Sequence, residues 1–193
     1  MGNTVGSTST NFCNFFSSKE DAYILGLWCA DSYWWSSSIG LSNTDGDLIN
    51  KFRKFLERLF PKDRMRFNRN HFFVNSRPLL REFVTAKNSL KKLKQADVIN
   101  AYFAGRFDGD GSISKDLKSD CRIVYGNRNE PEMDQKLLRR IKIRKTKIYY
   151  YKGAKTFALY ISRYESKKFI EKILPHSVKL QKLVLVPRRD LFR

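Results

Sequence analysis

The chain is poor in the residues that cross-link small folds. Of its 193 residues only three are cysteine and two histidine. Cys13, Cys29 and Cys121 are odd in number, widely spaced and outside any CxxC pair, which argues against a disulfide scaffold and a Cys/His zinc site and for a reducing compartment. Long apolar runs are also missing: the longest, Ala22 to Ala30, falls well short of the roughly 20 residues a membrane span needs. The termini show no greasy basic helix or lipidation signal, so no membrane partner is expected. No Lys or Arg precedes Lys19, so the start resembles neither a secretory nor a mitochondrial targeting peptide. Synthesis in a prokaryotic cytoplasm, or in an organelle that encodes the chain, fits this equally well. Negative charge is scarce too: 19 Asp and Glu stand against 38 Lys and Arg, a net charge of +19.

What is present is enough to fold. Hydrophobic residues make up 41% and aromatic residues 14%, and a chain of this length buries roughly 70% of its unfolded surface, so intrinsic disorder is excluded. A positive excess of this size on a folded domain attracts polyanions, of which a nucleic-acid backbone is the simplest.

One pair of segments is self-similar: Ala22-Tyr-Ile-Leu-Gly-Leu-Trp-Cys-Ala-Asp-Ser32 and Ala101-Tyr-Phe-Ala-Gly-Arg-Phe-Asp-Gly-Asp-Gly111. Each is followed by strand-like runs, an amphipathic run, further strand-like runs and another amphipathic run. The pattern predicts an α+β fold of duplicated αββαββα units. The first repeat spans 17–86 and the second 96–174, between an N-terminal arm (1–16), a basic linker (87–95) and a basic C-terminal tail (175–193) in which the apolar residues from Leu180 to Val186 are expected to pack in part. Ser17-Ser18-Lys19-Glu20 reads as a capping box for the first motif helix, Asp45 or Asp47 as the start of the next, and Pro78 as the opening of the third.

Small residues recur on one face of both motif helices: Ala22, Gly26 and Ala30, and Ala101, Gly105 and Gly109. Glycine inside a helix costs about 1 kcal/mol relative to alanine, and close approach of two backbones is what offsets it. The two stripes are therefore expected to pack against each other, which brings Asp31 and Asp110 to one pseudo-twofold axis. Two carboxylates at helix C-termini repel unless a cation lies between them, and hard oxygen ligands suit Mg²⁺. A single Asp-Gly turn such as Asp108-Gly-Asp-Gly-Ser112 would be an ordinary helix stop; the second copy makes the difference. An EF-hand at Asp108 fails, since Ile113 and Ser119 stand where Gly and Glu are required, and no phosphate-binding GxxxxGK[ST] occurs.

Ile24-Leu-Gly-Leu-Trp-Cys-Ala-Asp-Ser32 and Phe103-Ala-Gly-Arg-Phe-Asp-Gly-Asp-Gly111 resemble the two motifs of a single-chain LAGLIDADG homing endonuclease. The resemblance implies a monomer with two saddle-shaped antiparallel sheets astride double-stranded DNA with a long pseudo-palindromic site. It implies a metal centre at Asp31 and Asp110 with Ala30 and Gly109 beside them, cutting one strand each and leaving short 3′ overhangs. Mg²⁺ is the expected cofactor, with Mn²⁺ able to substitute and Ca²⁺ binding without cleavage. The sequence departs from the family at Trp28-Cys29, at Ser32 in place of glycine, and at Arg106 in place of leucine. Asn43 and Lys115 occupy places comparable to the polar and basic residues that family members keep around the nucleophilic water; a phosphate contact or a solvated loop is the plainer reading of each.

Strand alternation supplies a reading surface. Met65 and Phe67 should face the helices, leaving Arg64, Arg66 and Asn68 toward DNA, with Arg122, Lys147 and Lys155 as the counterparts in the second repeat. Any one basic residue is more often a phosphate contact or a solvated charge than a base reader. No intein splice junction is recognisable at the ends, which favours an intron-encoded enzyme. The alternative is an RNA maturase of the same fold that takes its host intron RNA and does not need the aspartates.

Overall fold

A computed structural model describes residues 12–113 and 121–185. Helix α1 (Lys19–Asp31) leads into strands β1 (Ser32–Trp35) and β2 (Ser38–Ser42), then α2 (Gly46–Glu57), β3 (Met65–Asn68), β4 (His71–Asn75) and α3 (Arg77–Asn88). The order repeats as α4 (Ala96–Asp110), β5 (Gly111–Ile113), β6 (Cys121–Tyr125), α5 (Asn129–Arg140), β7 (Thr146–Tyr151), β8 (Thr156–Ile161) and α6 (Arg163–Ile173), and α7 (Val178–Leu185) follows. Two four-stranded antiparallel sheets result, ordered β1-β2-β4-β3 and β5-β6-β8-β7. The α+β duplication expected from the sequence is the fold observed. Among the described residues no helix is long and apolar enough to cross a membrane, and the three cysteines form no disulfide.

Local chemistry sets the helix starts. The Asp45 carboxylate accepts from the amides of Asp47 (2.8 Å) and Leu48 (3.4 Å) to open α2, and Ser76 Oγ accepts from Leu79 N, with Pro78 in the first turn, to open α3. The cap of α1 differs from the expected Ser17–Glu20 box by one residue. Ser18 is the cap, its Oγ accepting from Asp21 N. Asp21 does not close the box, because its carboxylate is taken by Asn14 N (2.7 Å) and by the Arg58 guanidinium (2.5 Å).

The two motif helices are buried on nearly all sides, from Asp21 to Cys29 in α1 and from Val98 to Asp108 in α4. Such helices cannot show an amphipathic pattern, because neither has a water-facing side. The outer helices do: in α2 Leu48, Phe52, Phe55 and Leu56 are buried while Lys51, Arg53 and Lys54 are exposed. The helices cover one face of each sheet, burying Ile39, Leu41, Phe72 and Val74 in the first and Cys121, Ile123, Leu159 and Ile161 in the second. The stretch between the repeats packs rather than hangs: Leu90 and Leu93 are buried, and the Arg140 guanidinium donates to the carbonyls of Lys91 and Leu93.

Candidate metal centre and nucleic-acid interface

The glycine stripes meet. A Cβ added to Gly26 would overlap the Tyr102 carbonyl oxygen and stand 2.9 Å from its carbon; one on Gly105 would overlap the Tyr23 carbonyl oxygen and stand 2.7 Å from Leu27 N. Ala22 and Ala101 on the same stripes are fully buried. At the ends of the helices, a Cβ on Gly109 would overlap the Ala30 methyl and lie 2.6 Å from Asp31 Oδ2. The Asp31 carboxylate therefore rests against the last turn of α4, beside Asp110. Each aspartate is the final residue of its helix and the next residue begins a strand, so both lie where the helix pair meets the sheets.

Neither carboxylate is in an ordinary environment. Burial pushes the Asp110 carboxyl up to about 6, an effect that the Arg106 guanidinium opposes and the Asp31 charge reinforces. Burial also raises Asp31, against the lowering effect of the Asn43 side chain and the Lys179 ammonium. Asn43 Nδ2 donates to Asp31 Oδ2 at 2.7 Å, and its own Oδ1 accepts from Asp45 N at 2.7 Å, which fixes the amide orientation. Lys115 lies outside the described residues. Among the described residues no group of three or more His, Cys, Asp and Glu side chains gathers. A cation bound here would complete its shell with backbone, water and phosphate oxygens. Two half-buried carboxylates, each raised by burial and one raised further by the charge of the other, are the donor set a hard divalent ion fits. Asp108 is excluded as a ligand: its carboxylate accepts from Tyr23 Oη (2.7 Å), from Ser177 Oγ and from the amides of Val178 (2.7 Å) and Lys179 (3.2 Å).

The sheet faces turned away from the helices carry a polar and aromatic surface. Register pairs Arg66 with Phe73 and Asn68 with His71 on this face of the first sheet, where Tyr33 stacks on His71 at 4.5 Å and touches Phe73 at 5.0 Å. Arg64 is not part of it. That residue ends a 3₁₀ turn before β3, its guanidinium lying over the Phe60 ring and donating to the Asn75 carbonyl. Phe67 points to the helix side as alternation requires, yet is 66% exposed, because β3 is an edge strand that the helix layer does not reach. In the second sheet Arg122 and Lys147 both pair with Tyr160 across the ladder, one from each side. Arg122 donates to Ser112 Oγ and Tyr160 Oη, each at 3.0 Å, and the Tyr151 and Tyr160 hydroxyls are 2.6 Å apart. Lys155, expected to start a strand, sits in the β7–β8 turn with left-handed φ of 52°.

The sequence reading missed Tyr149, Tyr151 and Tyr160 on this face, where the run of three tyrosines hides the alternation: Tyr149 and Tyr151 share a side with Lys147, and Tyr150 packs on Phe157 instead. It missed Lys179 as well, whose approach to the carboxylates depends on a tertiary contact that no local pattern signals.

Residues 18–95 match the model of the LAGLIDADG-like domain. No curated protein matches the chain. Among solved structures, I-DmoI in complex with DNA and Ca is 19% identical with a TM-score of 0.68, over 86% of this chain and 97% of that one. I-DmoI in complex with DNA and Mn is 20% identical with a TM-score of 0.63, over 83% and 98%. Full-length DUF199/WhiA from Thermatoga maritima is 16% identical with a TM-score of 0.60, over 88% of this chain and 60% of that one. The fold is thus that of the LAGLIDADG homing endonucleases.

Proposed function

We propose that this chain, which carries a LAGLIDADG-like domain in its first half and the LAGLIDADG homing endonuclease fold over most of its length, is a site-specific, divalent-metal-dependent DNA endonuclease of the intron-homing type. It would hydrolyse one phosphodiester in each strand of a long pseudo-palindromic site and leave short 3′ overhangs. The observation that carries the reading is the abutment of Gly109 on Ala30 and Asp31, which joins two acidic helix ends in one centre. Support comes from the solved complexes of I-DmoI with DNA and Mn or Ca, and of an I-DmoI variant with its target DNA in the presence of Mg.

A bound Mg²⁺ would activate water and neutralise charge on the phosphate and the leaving oxygen. Asp31 and Asp110 would hold it, with Ala30 and Gly109 shaping the floor between them. Asn43 would keep Asp31 in one rotamer, as an outer partner of a ligating carboxylate does. The two sheet faces would lie along the duplex, Arg66, Asn68, Arg122 and Lys147 meeting base edges or phosphates and the net +19 drawing the polyanion in. One chain holds both halves of the centre, so it would act as a monomer.

The test is incubation with DNA spanning the insertion site of its own reading frame, with Mg²⁺, with Ca²⁺ and with EDTA. Double-strand cleavage is expected with Mg²⁺ alone. A chain that leaves the DNA intact but speeds splicing of the precursor RNA, in Asp31→Asn and Asp110→Asn as in wild type, would be a maturase and not a nuclease.

A further inference from the structure

Helix α7 belongs to neither repeat, yet its start is held by a fully buried carboxylate. Asp108, 1% exposed, accepts from Ser177 Oγ and from the Val178 and Lys179 amides, so the last turn of α4 caps the N-terminus of α7; Tyr23 Oη of α1 adds a further bond at 2.7 Å. From that anchor the Lys179 ammonium donates to the Gly111 carbonyl at 2.9 Å and the Phe107 carbonyl at 3.4 Å. It therefore sits on the C-terminal end of α4, on both sides of Asp110 in sequence, where a cation complements the helix dipole. Its charge reaches Asp31 as well as Asp110. One turn on, Lys182 Nζ lies 3.1 Å from Asp45 Oδ2 and 2.7 Å from Asp47 Oδ2. Asp45 is the residue whose amide orients Asn43, which in turn holds Asp31. Helix α7 thus runs from the flank of one carboxylate to the loop that supports the other.

We propose that α7 is a latch across the carboxylate centre in which Lys179 is a positioning residue, balancing the charge of Asp31 and Asp110 and fixing the backbone beside Asp110, while Lys182 ties the Asn43 loop to the same helix. The inference rests on the metal reading of the two aspartates. Lys179 then acts as a built-in counter-charge that a divalent ion must work against in the DNA-free protein.

The experiment uses the full chain without DNA and Mn²⁺ as the probe, followed by its paramagnetic resonance signal at low salt, together with hydrogen exchange at the Val178 and Lys179 amides. Lys179→Met is expected to tighten Mn²⁺ about 3- to 10-fold by removing a nearby positive charge, and Lys179→Arg to stay within about twofold of wild type. Lys182→Met should leave Mn²⁺ affinity within about twofold but speed exchange at Val178 and Lys179. Unchanged affinity in Lys179→Met with wild-type thermal unfolding overturns the proposal, as does a Lys179→Arg variant that behaves like Lys179→Met, since shape and not charge would then matter. Unchanged exchange in Lys182→Met overturns the latch. If neither the wild-type chain nor Lys179→Met takes up Mn²⁺, the metal centre itself is refuted and the role of Lys179 with it, a distinct outcome because no variant would then differ from another in Mn²⁺ uptake.

Discussion

Helices α1 and α4 share the small-residue stripe and the terminal aspartate, but the residue after the central glycine is Leu27 in one and Arg106 in the other. Leu27 lies in apolar surroundings. Arg106 is just as buried, at 1% exposure, and meets Glu130 at 2.5 Å, Asp134 at 3.5 Å and the Tyr125 ring at 4.4 Å. Two positions further on stand Cys29, whose thiol burial pushes up to about 12, and Asp108, which caps α7. Rings surround α1: Trp28, Phe15 and Phe55 all edge onto Phe83. Around α4 the rings Phe103 and Phe107 also edge onto Phe169, but a buried polar group is added, where Asp134 accepts from Tyr102 Oη (3.0 Å) and Tyr125 Oη (2.8 Å). The duplicated parts are those that touch the axis, and each helix has closed its outer side by different chemistry. The difference has an energetic consequence. A buried, compensated charge adds little net stability but leaves a large penalty when one partner is lost, so the second half is the more brittle.

That contrast can be broken in order of expected effect. Where the halves are alike, Asp31→Asn and Asp110→Asn should each abolish double-strand cleavage while retaining measurable DNA binding in a gel-shift assay; a variant that cuts normally removes its aspartate from the centre. Where they differ, Arg106→Leu, which makes α4 resemble α1, should destabilise by about 3–5 kcal/mol in urea unfolding because Asp134 is left buried and uncompensated. Adding Asp134→Asn should recover part of the loss, whereas equal destabilisation with and without it would mean the ion pair is not the cause. Gly105→Ala should cost about 1–3 kcal/mol through the clash with Tyr23 and Leu27, against no clash for Gly153→Ala, where nothing lies within 4 Å.

The smallest effect is a dependence on pH. The folded Asp110 carboxyl lies at about 6, above its ordinary 3.8, so the protonated form favours the native state. Its stabilising contribution is full below about pH 4 and is lost as pH rises through 6. Without metal, Asp110→Asn should therefore unfold at a higher temperature than wild type at pH 7 and approach it at pH 4, a difference of roughly 1–3 kcal/mol. A gap that widens toward acid would reverse the assignment.

The repeat order and the paired glycines were legible because they are local: Ala22, Gly26 and Ala30 spell their stripe on a single helix, and a second copy says what it packs on. The nearness of Asn43 to Asp31 was legible from its place after the second strand. Arg64 and Lys155 were misplaced because alternation assumes a strand, and a 3₁₀ turn and a hairpin turn occupy those positions instead. Lys179 and the capping role of Asp108 could not be read at all: their partners are far apart in sequence, and a basic tail with a few apolar residues gives no sign of where it docks.

Asp31 is followed at once by Ser32, the first residue of β1, and Asp110 by Gly111, the first of β5. With no intervening linker, the two aspartates and the strands that follow them are indexed to each other like the zero mark and the scale of a ruler. Under the proposed function, substitutions on the sheet faces could retarget the enzyme to new sequences, but the spacing from the recognised bases to the broken bond would stay the same.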